Sequence, residues 1–71
     1  MKQQLESKGW VMYYQCKCSG GKQYFINEQF KGYEVIVGIP RQTFKIQLQG
    51  QIISGPSYAY QLADKLAQYV K

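Results

Sequence analysis

Tyr33-Glu34-Val35-Ile36-Val37-Gly38-Ile39, followed at once by Pro40, is the stretch that decides the fold. β-Branched residues crowd it, and period-two alternation sets Tyr33, Val35, Val37 and Ile39 on one face against Glu34 and Ile36 on the other. Proline cannot donate to a strand ladder and restricts the residue before it, so the strand stops there. Downstream, residues 43–48 repeat the pattern, with Phe44, Ile46 and Leu48 inward and Lys45 and Gln47 outward. Gln49-Gly50 then reads as a two-residue hairpin turn of the Asn-Gly kind. That register sets Ile53 opposite Ile46 in the core and leaves Ile52 on the outer face.

Upstream, residues 10–18 alternate as well. Trp10, Met12, Tyr14, Cys16 and Cys18 are expected on one face, and Val11, Tyr13, Gln15 and Lys17 on the other. Ser19-Gly20-Gly21 supplies a turn, and residues 22–27 run back as the second arm of a hairpin before a loop over residues 27–32. Further out, Gly9 can close a short helical turn around Leu5. At the other end, Ser54-Gly55-Pro56-Ser57 reads as a helix start, since proline suits the first helical position. Beyond it Ala59, Leu62, Ala63, Leu66, Tyr69 and Val70 fall on one helical face, with Gln61, Asp64, Lys65 and Gln68 opposite. The expectation is one α+β domain over residues 1–71. It is an antiparallel sheet of four or five strands, one face covered by a C-terminal amphipathic helix, with a short N-terminal helix.

Composition excludes a disordered coil: 45 % of the 71 residues are hydrophobic, 15 % are aromatic and 18 % are charged. Nine Lys/Arg against four Asp/Glu give a net charge of +5, which favours polyanionic partners such as nucleic acid or acidic proteins. Met1-Lys2-Gln3-Gln4-Leu5-Glu6-Ser7-Lys8 lacks the apolar stretch of a secretory signal, and no run approaches the roughly 20 apolar residues of a membrane span. A cytoplasmic location away from membranes, with both cysteines reduced, is the reading that follows.

Chemistry is sparse. The chain has no histidine, and Glu6, Glu28, Glu34 and Asp64 fall on separate elements, so no acid–base pair can be placed and no enzyme is expected. Cys16 and Cys18 supply two of the four ligands a tetrahedral zinc site needs, and they read as small apolar fillers; no metal or cofactor is expected. Gly20-Gly21-Lys22 resembles a phosphate cradle only faintly and reads first as a hairpin turn.

The outward face of the sheet is more informative. Aromatics interleaved with cations on an open sheet can stack bases and meet phosphates. Tyr13, Lys17, Lys22, Arg41 and Lys45 are the residues expected to contact RNA or DNA. The alternative is a protein-interaction or homodimer surface made from Val11, Tyr13, Ile36 and Ile52. The same residues also suit an unliganded half-wet sheet, in which Tyr and Ile are good cross-strand pairs.

Lys8-Gly9-Trp10-Val11, followed by a strand and a glycine turn, resembles the start of small HicA-type messenger-RNA-cleaving toxins. The order helix, antiparallel sheet, helix is also similar to that of double-stranded-RNA-binding domains. Those toxins carry a histidine just after the glycine turn, where this chain has Lys22-Gln23-Tyr24-Phe25. What the resemblance implies is therefore RNA as a ligand, without the cleavage chemistry.

Overall fold

The computed structural model describes residues 1–17 and 20–70. They form α1 (Lys2–Ser7), β1 (Val11–Cys16), β2 (Lys22–Ile26), β3 (Tyr33–Gly38), β4 (Thr43–Leu48), β5 (Gln51–Tyr58) and α2 (Leu62–Tyr69). Single 3-10 turns at Glu28–Phe30 and Ala59–Gln61 complete the order. The strands make one antiparallel meander in the order β1-β2-β3-β4-β5, so β1 and β5 are its edges. The α+β reading holds, with the C-terminal helix on one sheet face.

Alternation fixes that face. Phe25, Val35 and Ile46 lie in register across the three central strands, as do Val37 and Phe44 across two of them, and all five are buried. Leu62, Leu66 and Val70 close over them, one turn apart along α2 and the residue after it. The N-terminus adds to the same layer. Leu5 is fully buried and Trp10 nearly so, with the Trp10 ring stacked on Phe30 at 6.4 Å.

Gly9 positions both of these residues. It has φ +93°, and its N–H donates to the Glu6 carbonyl at 3.1 Å while that of Trp10 donates to Leu5 at 3.0 Å. These are the paired bonds of a glycine helix stop, and the accompanying apolar contact joins Leu5 and Trp10. Asn27 locks the stop from across the loop. It is buried, donates from Nδ2 to the Lys8 carbonyl at 3.2 Å and accepts from Gln29 N–H at 2.9 Å.

Three expectations need correction. First, β1 has a bulge between Met12 and Tyr14. The extra residue advances the pleat by one, so Tyr13 and Tyr14 both face outward and Cys16 follows them instead of pointing into the core. Second, Ser54-Gly55-Pro56-Ser57 does not start the helix but continues β5, with Ser57 opposite Phe44 and Tyr58 opposite Thr43. Proline is tolerated there because β5 is an edge strand interrupted by bulges. The chain turns only afterwards, where Tyr58 N–H donates to Gln61 Oε1 at 3.3 Å. The same bulges put Ser54, not Ile53, opposite Ile46, although Ile52 is outward and Ile53 packs against the core, both as expected. Third, Cys16 is not a reduced thiol; it is disulfide-bonded. The expectation came from compartment, which carries no geometry. Cys18 and its expected inward position lie outside the described residues.

Gln49-Gly50 is the hairpin turn read from the sequence, closing the pair Leu48 and Gln51. Both turn residues have positive φ, +50° and +85°. Glutamine is strained there, and asparagine occupies that region at lower cost. Gln49→Asn is expected to stabilise the protein by up to about 1 kcal/mol, read as a rise of roughly 4–8 °C in Tm by calorimetry.

Candidate functional site

The outward face carries three cross-strand rows. The first, at the β4–β5 turn end, is Val11, Ile26, Glu34, Gln47 and Ile52. The second is Tyr14, Tyr24, Ile36 and Lys45, joined by Tyr13 from the bulge. The third, at the opposite end, is Cys16, Lys22, Gly38, Thr43 and Tyr58.

Between the second and third rows lies a cleft of about 280 Å³ lined by Gly21, Lys22, Ile36, Gly38, Pro40, Arg41, Thr43, Phe44 and Lys45. Its floor exists because position 38 has no side chain. Glycine leaves a gap between Lys22 and Thr43 in their row, and a Cβ built there would reach Thr43 Oγ1 at 3.4 Å. Its end wall is made by the two turns beyond the strands. Ile39 N–H donates to the Gly21 carbonyl at 3.1 Å, joining them directly. Pro40 lies so close to Gly20 that an added Cβ would overlap its ring. Gly20 also has φ +88°, so glycine is required there on two grounds.

Three cations from three places in the chain meet in this cleft: Lys22 on β2, Arg41 in the β3–β4 turn, and Lys45 on β4. No carboxylate is among the described residues that line it. Lys17 is exposed just past the end of β1 and lies outside the lining. Gly21, read from the sequence as part of a plain turn, proves to be part of the wall, beside Lys22, which is among the expected contacts.

Tyr13 belongs to a different environment. Its hydroxyl donates to Glu34 Oε2 at 2.7 Å, and its ring meets Tyr24 edge-on at 6.2 Å. Tyr14 also leans on Tyr24, at 5.5 Å, so the bulge builds a cluster of three tyrosines. Desolvation, the hydrogen bond to Glu34 and that carboxylate's charge push the Tyr13 pKa up to about 12. A raised pKa means the folded state holds the proton more tightly. The stabilisation is therefore complete below the ordinary tyrosine value near 10 and is lost as pH rises towards about 12. Tyr13→Phe is expected to be less stable than the wild type at pH 8, with the gap closing between pH 10 and 12. Urea melts across that range, alongside tyrosinate absorbance, check both the sign and the window.

The alternative surface is less continuous. Val11 and Ile52 are 63 % and 50 % exposed, but they occupy opposite edges of the sheet, four strand spacings or about 19 Å apart. Glu34 and Gln47 interrupt the row between them, and Ile36 is a half-buried residue of the basic cleft. Val11 and Ile26 are cross-strand neighbours and form an adjacent exposed aliphatic pair.

One feature was missed in the sequence. Tyr58 and Tyr60, at the β5 edge, stack on each other at 6.1 Å with planes 7° apart, and Tyr60 is 80 % exposed. Tyr58 is the cross-strand neighbour of Thr43, so this pair flanks the cleft. Tyr-x-Tyr after a proline was the signal, hidden by assigning the segment to the helix.

No group of three or more His, Cys, Asp or Glu among the described residues is placed to hold a metal ion. No helix among them is long and apolar enough to cross a membrane. Comparison with protein families, with curated proteins and with solved structures gives no match. What the site can do is therefore read from its own chemistry.

Proposed function

We propose that this chain is a non-enzymatic module that binds nucleic acid, RNA or DNA, as a single strand laid across the open sheet face. The observation that supports it is the cleft in which Lys22, Arg41 and Lys45 converge without a carboxylate among them. Cations gathered at one point of a sheet suit phosphate. Exposed aromatic rings beside them, here Tyr14 backed by the half-buried Tyr24 on one flank and Tyr58 and Tyr60 on the other, offer faces on which bases stack. Glu34 at the far row opposes a polyanion, which directs the strand along the cleft end of the face. A cytoplasmic location goes with this proposal, and a reducing compartment would then open the disulfide of Cys16.

Fluorescence anisotropy with eight-nucleotide RNA and DNA at 50 and 200 mM salt tests the reading. Three phosphate contacts to a single strand give a logarithmic salt slope of about −2. A lack of salt-sensitive binding at tens of micromolar protein would remove it.

The adjacent exposed pair Val11 and Ile26 supports a second reading, in which that corner of the sheet meets another protein or a second copy of the chain. Sedimentation at high micromolar concentration separates the two: a monomer excludes self-association and leaves the nucleic-acid proposal intact.

A further inference from the structure

The cleft is a seat rather than a track. One end is walled by the two joined turns, where Pro40 abuts Gly20 and Ile39 bonds to Gly21. A nucleic-acid backbone that ran through this point would have to cross that wall. Charge points the same way. An internal phosphodiester brings one negative charge, whereas a terminal phosphate monoester brings close to two at neutral pH and three strong acceptor oxygens. Three cations around one small cavity match the second better than the first. The Thr43 hydroxyl adds a neutral donor beside the gap above Gly38.

We propose that this cleft binds a phosphate monoester at the end of a nucleic-acid strand, held by Lys22, Arg41, Lys45 and the Thr43 hydroxyl over the bare backbone of Gly38. The terminal base then lies towards Tyr60, whose open ring face is one strand away. This deepens the nucleic-acid reading and rests on it, but makes a separate claim: affinity depends on the chemistry of the strand's end.

The test uses three fluorescent eight-nucleotide DNAs of one sequence, carrying a 5′-phosphate, a 3′-phosphate or neither, at fixed salt. One phosphorylated end is expected to bind about tenfold more tightly than the unphosphorylated strand, the size of charge-assisted hydrogen bonding to the extra charge. The advantage should shrink from pH 7.5 to pH 5, because the monoester takes up its second proton near pH 6. The unphosphorylated strand, measured over the same interval, separates titration of the ligand from that of the protein. Gly38→Val fills the gap at a position free of left-handed strain and should erase the preference, bringing the phosphorylated strands level with the unphosphorylated strand measured on the same variant. Lys22→Gln, which cannot disturb the backbone, should reduce the preference in the same way. Equal affinity for all three strands overturns the end-specific claim and leaves the broader reading standing. Binding of none of them, nor of a nucleoside monophosphate, overturns both. Binding of a nucleoside monophosphate without the oligonucleotides would keep the seat and discard the strand.

Discussion

Lys22→Ala, Arg41→Ala and Lys45→Ala combined are expected to flatten the salt dependence of nucleic-acid binding. With three ionic contacts between the cleft and the strand's phosphate charge, terminal or internal, the wild type should lose about 15- to 20-fold in affinity between 50 and 200 mM salt, and the triple variant almost nothing. The loss at 50 mM should itself exceed tenfold, since each contact contributes a charge-assisted bond of roughly 1.5–3 kcal/mol. Net charge alone must be separated from placement. A control removing Lys2, Lys8 and Lys31, all exposed and all outside the cleft, carries the same formal charge. If binding were a diffuse response to the excess of positive charge, both variants would weaken alike. If the cleft is the site, the control keeps most of the affinity and most of the slope. Folding is not at stake, because the substituted side chains lie on the wet face or in a turn, where truncation shifts stability by about half a kcal/mol at most. Parallel thermal melts verify that.

How much of this was readable in advance divides cleanly by mechanism. Where local chemistry and alternation agree, the sequence was sufficient. Residues 33–38 and 43–48 gave two strands and their inward faces, although Ile39, expected inward, lies past the strand end and is 40 % exposed; Gln49-Gly50 gave the turn and the first two pairs leading out of it. The N-terminal stop was legible through Gly9 alone. Errors arose where one residue is inserted into a strand, since a bulge reverses every assignment beyond it. Tyr13-Tyr14 and Ile52-Ile53 are adjacent pairs of like residues within strands, and each marks a bulge. Period-two reading splits such a pair between the faces, but the first pair belongs on one. Pro56 was misread for a related reason. Proline suits both a helix start and an edge-strand bulge, and only knowledge that β5 is an edge decides between them.

The site was partly legible. Lys22, Arg41 and Lys45 were named for charge and face, and they do meet; Lys17 was named on the same grounds and does not join them. What the residues could not convey is that Gly38, a blank in a strand otherwise full of branched side chains, makes the space between the cations. A glycine there carries no φ requirement, so its role shows only when cross-strand neighbours are known. The Tyr13–Glu34 bond was equally hidden, because it joins positions 21 apart through a bulge. It matters for function, since it ties up one of the aromatics expected to stack and places a carboxylate beside it.

The second large effect concerns the N-terminal helix, where one leucine stands among polar residues. Leu5 is fully buried in the cluster that includes Trp10, Phe25, Val35 and Leu62. Leu5→Ala removes its apolar contacts and leaves a cavity under a helix too short to collapse into it. The expected cost is about 3 kcal/mol, within the range for buried leucines. For a chain of this length that is a large part of total stability, which is typically about 0.05–0.15 kcal/mol per residue. Calorimetry should register a fall of roughly 12–24 °C in Tm. The neighbouring Gln4→Ala is the matched control: it is exposed, and alanine is the better helix former, so no loss is expected. A small change at Leu5 would mean that α1 is detachable and that Trp10 and α2 close the core without it. A large one would mean that six residues with a single apolar side chain are held in place by tertiary contact, since a helix of that length has too little propensity to persist alone.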